Sequence, residues 1–145
     1  MLYRAIQDGD DHNTFYTKLE NKRKTLSFVK TTKSVRFGCY LDIAIKSRNG
    51  KMKDEKCFVF NIDNIDRWKI FNNIPGNNCI NNGDYEVLNL YNQPFYIKNK
   101  FLSNNNSYMD NFINSFSGFE KDYKLNNYEK HFIVEEMETF QIDFN

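Results

Sequence analysis

The sequence predicts a mainly β (α+β) domain in which two packed antiparallel sheets, a β-sandwich, are flanked by one or two short helices. Three observations predict it. Apolar and polar residues alternate at period two in several separate runs. Only one stretch, near the start, has helical spacing. Clusters of Asn, Gly, Asp and Lys separate the runs, as turns between antiparallel strands require. The 145 residues are about one domain's worth of chain. With no internal repeat, residues 1–145 read as a single domain.

Leu2 to Ala5 form a short extended opening, and Asp8-Gly9-Asp10-Asp11 a turn. A helix is predicted at about residues 11–22. Asp10 or Asp11 can accept the orphan N–H groups of its first turn, Phe15 and Leu19 fall on one face, and Lys22, Arg23 and Lys24 suit its negative end. The period then changes. Leu26 and Phe28 alternate with Ser27 and Val29, and Thr31 to Ser34 form a turn. Val35, Phe37, Cys39 and Leu41 then alternate with Arg36, Gly38, Tyr40 and Asp42, which makes a hairpin. Residues 47–56 read as a charged loop with a solvated tip.

Cys57 to Ile62 form a strand with Phe58, Phe60 and Ile62 on one face. Trp68, Ile70 and Phe71 suit a short strand or irregular packing, and the Asn- and Gly-rich residues 72–83 a loop. Tyr85 to Tyr91 and Phe95 to Lys98 read as two strands joined across Asn92-Gln93-Pro94. Residues 99–131 are weakly patterned and are expected to pack over the sheets through aromatics such as Phe101, Tyr108 and Phe116. Phe132 to Ile142 form the last strand. Its alternation breaks phase at Glu135-Glu136-Met137, which predicts a β-bulge.

Composition bounds the function. Twenty basic and 19 acidic residues leave a net charge of +1, so no global field attracts phosphate backbones or anionic lipid. Nucleic acid is not an expected partner. The three cysteines are odd in number, widely spaced and without C-x-x-C, which argues against a disulfide framework and a zinc site. Free cysteines suit a reducing compartment. Cys39 and Cys57 are expected in the core, and Cys79, among asparagines, is the candidate exposed thiol. No apolar run is long enough to span a membrane, and no signal or lipidation pattern is present. The expectation is a cytoplasmic protein without membrane insertion.

Catalytic patterns are hard to find. Neither His12 nor His131 is spaced to pair with a cysteine or serine nucleophile. The six glycines form no phosphate-binding loop, and Gly38, inside a strand, marks a close approach of a neighbouring element. Asp8, Asp10 and Asp11 read as helix capping. Glu135, Glu136 and Glu138 read as the solvent face of an edge strand. The run from Phe95 to Phe101 interleaves aromatics with lysines, a pattern shared by amphipathic strands and single-strand-binding surfaces. No catalytic residue, metal site or cofactor is expected. An exposed thiol at Cys79 would allow a redox role.

Taken in order, these segments resemble the TLDc domain family, and most closely its protist forms. Leu2-Tyr3-Arg4-Ala5-Ile6-Gln7-Asp8-Gly9 resembles the family's opening motif, and Thr25 to Thr31 its first long strand. Phe37-Gly38-Cys39-Tyr40-Leu41-Asp42-Ile43 resembles its F-G-G-Y-T-D-I segment, with Cys39 in place of the second glycine. Cys57 to Ile62 and Phe132 to Ile142 resemble its later strands. The segment that usually precedes the opening strand has no counterpart here, as in a minimal domain or a fragment. The resemblance implies a β-sandwich flanked by helices and a link to protection from oxidative stress. It also implies binding to the peripheral sector of a vacuolar-type proton ATPase, and no settled catalytic residue. Asp8, Gly9, Gly38, Asp42 and Glu138 fall on family-characteristic positions and are expected to be structural. The alternative reading is a structural scaffold component of a larger cytoskeletal or organellar assembly.

Overall fold

The computed structural model describes residues 1–45, 50–63, 70–73, 78–82, 86–90, 96–109, 116–117 and 130–143. The elements run β1 (Tyr3–Arg4), α1 (Ala5–Asp8), α2 (His12–Leu19), β2 (Thr25–Thr31), β3 (Arg36–Leu41), β4 (Gly50–Lys53) and β5 (Phe58–Asn61). They continue with β6 (Ile70–Asn73), β7 (Asn78–Asn82), β8 (Glu86–Asn89), β9 (Tyr96–Lys98), β10 (Ser107–Tyr108), β11 (Phe116–Ser117), β12 (His131–Phe132) and β13 (Val134–Gln141). A seven-stranded sheet has the order β1-β13-β2-β3-β5-β6-β11, a four-stranded sheet the order β12-β10-β9-β8, and β4 and β7 form a ribbon. Every pairing among the described residues is antiparallel. The protein is mainly β, with two antiparallel sheets and two short helices among the described residues.

The hairpin β2–β3 forms as its pattern predicts, with Phe28 opposite Gly38. Ser34 takes a positive φ of 63° in the turn, where its N–H donates to the Thr31 carbonyl at 2.9 Å. Asp11 caps α2: its Oδ1 accepts from the Thr14 N–H at 3.0 Å and its Oδ2 from the Thr14 hydroxyl at 2.6 Å. Asp10 instead accepts from the Leu102 N–H at 3.0 Å, pinning the turn after β9. The helix ends at Leu19 rather than near residue 22, because Glu20 leaves the helical region with ψ 127° and Asn21 and Lys24 take positive φ of 59° and 54°. Phe15 and Leu19 are both buried on one face, as their spacing predicts.

Strand β2 turns Thr25, Ser27, Val29 and Thr31 to the core and Leu26, Phe28 and Lys30 to the other face. The buried side therefore holds hydroxyls as well as apolar groups. Ser27 and Thr139, opposite each other, satisfy one another by a hydroxyl hydrogen bond of 2.9 Å. A single core spans both sheets and includes Tyr3, Phe15, Phe37, Leu88, Phe101 and Met137. Phe37 of the large sheet meets Phe132 of the small one edge to face, with centroids 5.5 Å apart, a geometry worth about 0.5–1.5 kcal/mol beyond the area it buries.

Strand β13 carries the predicted bulge, a register shift between Val134 and Glu136. Three further expectations are corrected. The charged loop and the Asn-rich loop each contain a strand, and β4 and β7 pair with each other. Residues 99–131 contribute β10, β11 and the first residue of β12, although Phe101 is fully buried as anticipated. Strand β13 is not an edge, since β1 and β2 flank it. Trp68 and the link Asn92-Gln93-Pro94 lie outside the described residues.

Candidate functional site

Three of the family-characteristic residues converge where the chain opens. Tyr3 and Arg4 pair with Thr139 and Glu138, so alternation sends Tyr3 into the core and Arg4 to the outer face. The Arg4 Nε donates to Glu138 Oε1 at 2.6 Å, and Arg4 Nη2 forms an ion pair with the same oxygen. Glu136 lies 4.0 Å from Arg4 and accepts the Ile6 N–H at 3.3 Å. The Arg4 N–H donates to Asp8 Oδ2 at 2.9 Å, while Lys18 reaches Asp8 Oδ1 at 2.9 Å. Those contacts, the Lys18 bond foremost, hold the Asp8 carboxyl below its usual range. Gly9 takes φ +95°, accepts the Tyr3 hydroxyl at 2.8 Å and donates its N–H to the Ala5 carbonyl at 2.9 Å. Its positive φ suits glycine. Asp8, Gly9 and Glu138 thus form one clamp that fastens β1 and α1 onto β13.

Asp42 belongs to a second cluster. Its Oδ1 accepts the Tyr40 hydroxyl at 2.9 Å and its Oδ2 lies 3.4 Å from Arg23 Nη2. The Tyr40 bond leads in lowering the Asp42 carboxyl, while burial and that same bond push the Tyr40 hydroxyl up to about 12. Beneath it, Asp54 is only 3% exposed and accepts the N–H groups of Asp42, Ile43 and Lys56 at 2.7, 3.2 and 3.0 Å. The charged run around Asp54 predicts a solvated tip, and the structure buries this carboxylate instead. Its bond to the amide two residues on is an Asx-turn, but nothing in the surrounding run of charges sets this aspartate apart. Arg4, the hub of the first cluster, was also missed as a site residue.

Gly38 sits apart from both clusters, beneath an aromatic row on the outer face of the large sheet. A Cβ there would lie 2.1 Å from the Ser27 carbonyl oxygen and 2.6 Å from Phe60 Cζ. The missing side chain lets the Phe60 ring lie across β3. Phe28 meets it edge to face at 5.5 Å and Phe140 continues the row at 5.9 Å from Phe28. The close approach inferred from an in-strand glycine is found, and both neighbouring strands make it, β2 through the Ser27 carbonyl and β5 through the Phe60 ring.

Cys39 is free and fully buried, and burial pushes its thiol up and suppresses the thiolate. Cys57 is buried as expected, but it is disulfide-bonded, which corrects the expectation that it is free. Cys79 lies in β7, and its side chain is outside the described residues. His12 begins α2 and His131 begins β12, each on a different element from Cys39. Among the described residues no group of His, Cys, Asp and Glu is arranged to hold a metal ion. No helix among them is long and apolar enough to cross a membrane.

One further constellation involves the aromatic and basic run that stood out in the sequence. Tyr96 on β9 stacks on Tyr108 of β10, with centroids 5.2 Å apart, and His131 of β12 meets Tyr108 edge-on at 5.0 Å. Lys98 Nζ lies 4.7 Å above the Tyr96 ring. The three rings form a ladder across the small sheet.

Fold and site together define a small antiparallel β domain whose characteristic polar residues hold its own backbone and its first strand in place. The TLDc domain family model matches residues 1–143, and the chain belongs to that family, which is generally associated with the response to oxidative stress. A comparison with curated proteins finds no match.

Proposed function

We propose that this chain is a non-catalytic protein-interaction module of the cytoplasm that binds the peripheral sector of a vacuolar-type proton ATPase and contributes to protection from oxidative stress. The observation that carries this reading is the family match across residues 1–143. The roles of the characteristic residues support it. Asp8, Gly9 and Glu138 hold the first strand, Asp42 and Asp54 hold the segment after β3, and Gly38 makes room for Phe60. A family whose hallmark groups are engaged in this way is better suited to presenting a surface than to turning over a substrate.

Affinity capture tests the reading. The tagged chain is incubated with lysate of its own cells, and the retained proteins are identified by mass spectrometry against a tag-only control. Peripheral-sector pump subunits should dominate the specific fraction. Their absence, with another assembly enriched instead, would overturn the pump assignment.

A further inference from the structure

We propose that Cys57 and Cys79 form a reversible disulfide, a covalent tie between the β4–β7 ribbon and the large sheet that thiol reductants open. Cys57 is disulfide-bonded and fully buried just before β5. The chain has three cysteines, and Cys39 is free. Within one chain that leaves Cys79 as the partner. The backbone supports the pairing independently. Met52 lies opposite Ile80 and Lys53 opposite Asn78, so Cys79 is the extra residue of a β-bulge in β7. Just after Lys53 the chain turns back: the Cys57 N–H donates to the Asp54 carbonyl at 3.3 Å, and β5 begins at Phe58. Bulge and turn thus carry both cysteines to the corner at Lys53 where ribbon and sheet meet. A disulfide spans only about 4–7 Å between Cα atoms, so it needs such a corner. Cys39 does not compete. It stands opposite Val59 inside the large sheet, fully buried, and a thiol held away from its thiolate form does not attack a disulfide.

Reversibility follows from the compartment. Glutathione keeps cytoplasmic thiols reduced, and disulfides found there are mostly transient or redox-sensing. In the cytoplasm proposed above, this bond is therefore one state of a switch. On opening, the Cys57–Cys79 bond breaks, two glutathione thiols are oxidised to one glutathione disulfide, and their protons pass to the two cysteine sulfurs. The Asp54 carboxylate accepts the Asp42, Ile43 and Lys56 N–H groups, which anchors the turn in either state. Loosening is thereby confined to the ribbon. The pairing rests on neither the pump nor the compartment, whereas the switching rests on the cytoplasmic placement.

The test uses the whole chain, equilibrated in glutathione buffers set to the poise of the secretory lumen or of the cytosol. Each sample is alkylated in denaturant and mapped by mass spectrometry without a reducing step. In the oxidising buffer only Cys39 should be alkylated, and a Cys57 peptide should be linked to a Cys79 peptide. Three alkylated thiols there, or Cys39 in the bond, would overturn the pairing. In the reducing buffer all three thiols should be alkylated, and a bond that persists would overturn the switch. The urea midpoint should fall by about 2 M on reduction, the loss expected for opening a loop of about 20 residues. The Cys79→Ser chain should show the low midpoint in both buffers, and a midpoint that still follows the buffer would overturn the assignment of Cys79. Amide shift differences between the two forms in NMR spectra should concentrate in residues 50–58 and 78–82, and differences centred elsewhere would overturn the tie between ribbon and sheet. No pump subunit is present in these assays, so their failure and a failure of pump capture are separate results.

Discussion

Replacing Gly38 by alanine should destabilise the fold by about 2 kcal/mol. The added Cβ would meet the Ser27 carbonyl oxygen at 2.1 Å and Phe60 Cζ at 2.6 Å. The ring can swing aside at the cost of its edge-to-face contact with Phe28. The Ser27 carbonyl belongs to β2, which is paired to β3 on one side and β13 on the other, so it has little room to retreat. Overpacking a well-packed position costs about 1–3 kcal/mol. Alanine's smaller loss of backbone freedom in a strand offsets roughly 0.5–1 kcal/mol of that. With a backbone atom involved we expect a net loss of about 2 kcal/mol. At an m-value of about 1.5 kcal/mol/M this lowers the urea midpoint by roughly 1.3 M. Equilibrium unfolding followed by far-ultraviolet circular dichroism reads it directly. The Gly38→Ala/Phe60→Ala chain separates the two contacts, because it removes the ring and keeps the carbonyl. If alanine at position 38 costs less than about 0.5 kcal/mol in the wild-type background, a surface-like effect, the close approach is not a constraint and the argument fails. If it costs nothing once Phe60 is truncated, the backbone part of the argument fails.

Two further outcomes follow from the same structure. Thr139→Val should cost about 1–3 kcal/mol by stranding the buried Ser27 hydroxyl, and Ser27→Ala/Thr139→Val should cost less than the sum of the single changes. A double-mutant cycle in urea checks this, and additivity of the two changes would rule it out. The Asp8, Asp11 and Asp42 carboxyls are all lowered in the folded state. Their stabilisation is therefore complete above the unfolded value of about 3.9 and is lost as pH falls from there through the folded values. Urea midpoints should drop below about pH 4 for this reason. Asp11→Ala should lose about 0.5–2 kcal/mol at pH 7 with its cap and show a shallower acid slope. Parallel acid slopes for the two chains would contradict this.

The features legible in the sequence are those whose causes lie close together along the chain. The cap at Asp11 and the Phe15–Leu19 face are read within two helical turns. The β2–β3 hairpin needs only its short turn, and the bulge in β13 announces itself as a phase break at Glu135 to Met137. Features that depend on distant partners were not legible. Residues 50–53 and 78–82 look like polar loops because neither segment alternates cleanly, and only their pairing with each other makes strands of them. Glu138 looks like surface charge until Arg4, 134 residues away, is placed beside it. Asp54 disappears in a run of charges, and only three backbone N–H groups pointing at it show why it is buried. The small-sheet ladder is half legible: Tyr96 and Lys98 stand out as neighbours, but Tyr108 and His131 join them only through strand pairing.

The place of β13 between β1 and β2 also bears on synthesis by the ribosome. Tyr3 is made long before its partner Thr139, so β1 has no neighbour to pair with until β13 has emerged. At about 5–20 residues per second that interval is roughly 7–30 s. Throughout it the nascent chain exposes the apolar ring of Tyr3 and one bare edge of β2, which is the condition under which newly made β proteins depend most on chaperones.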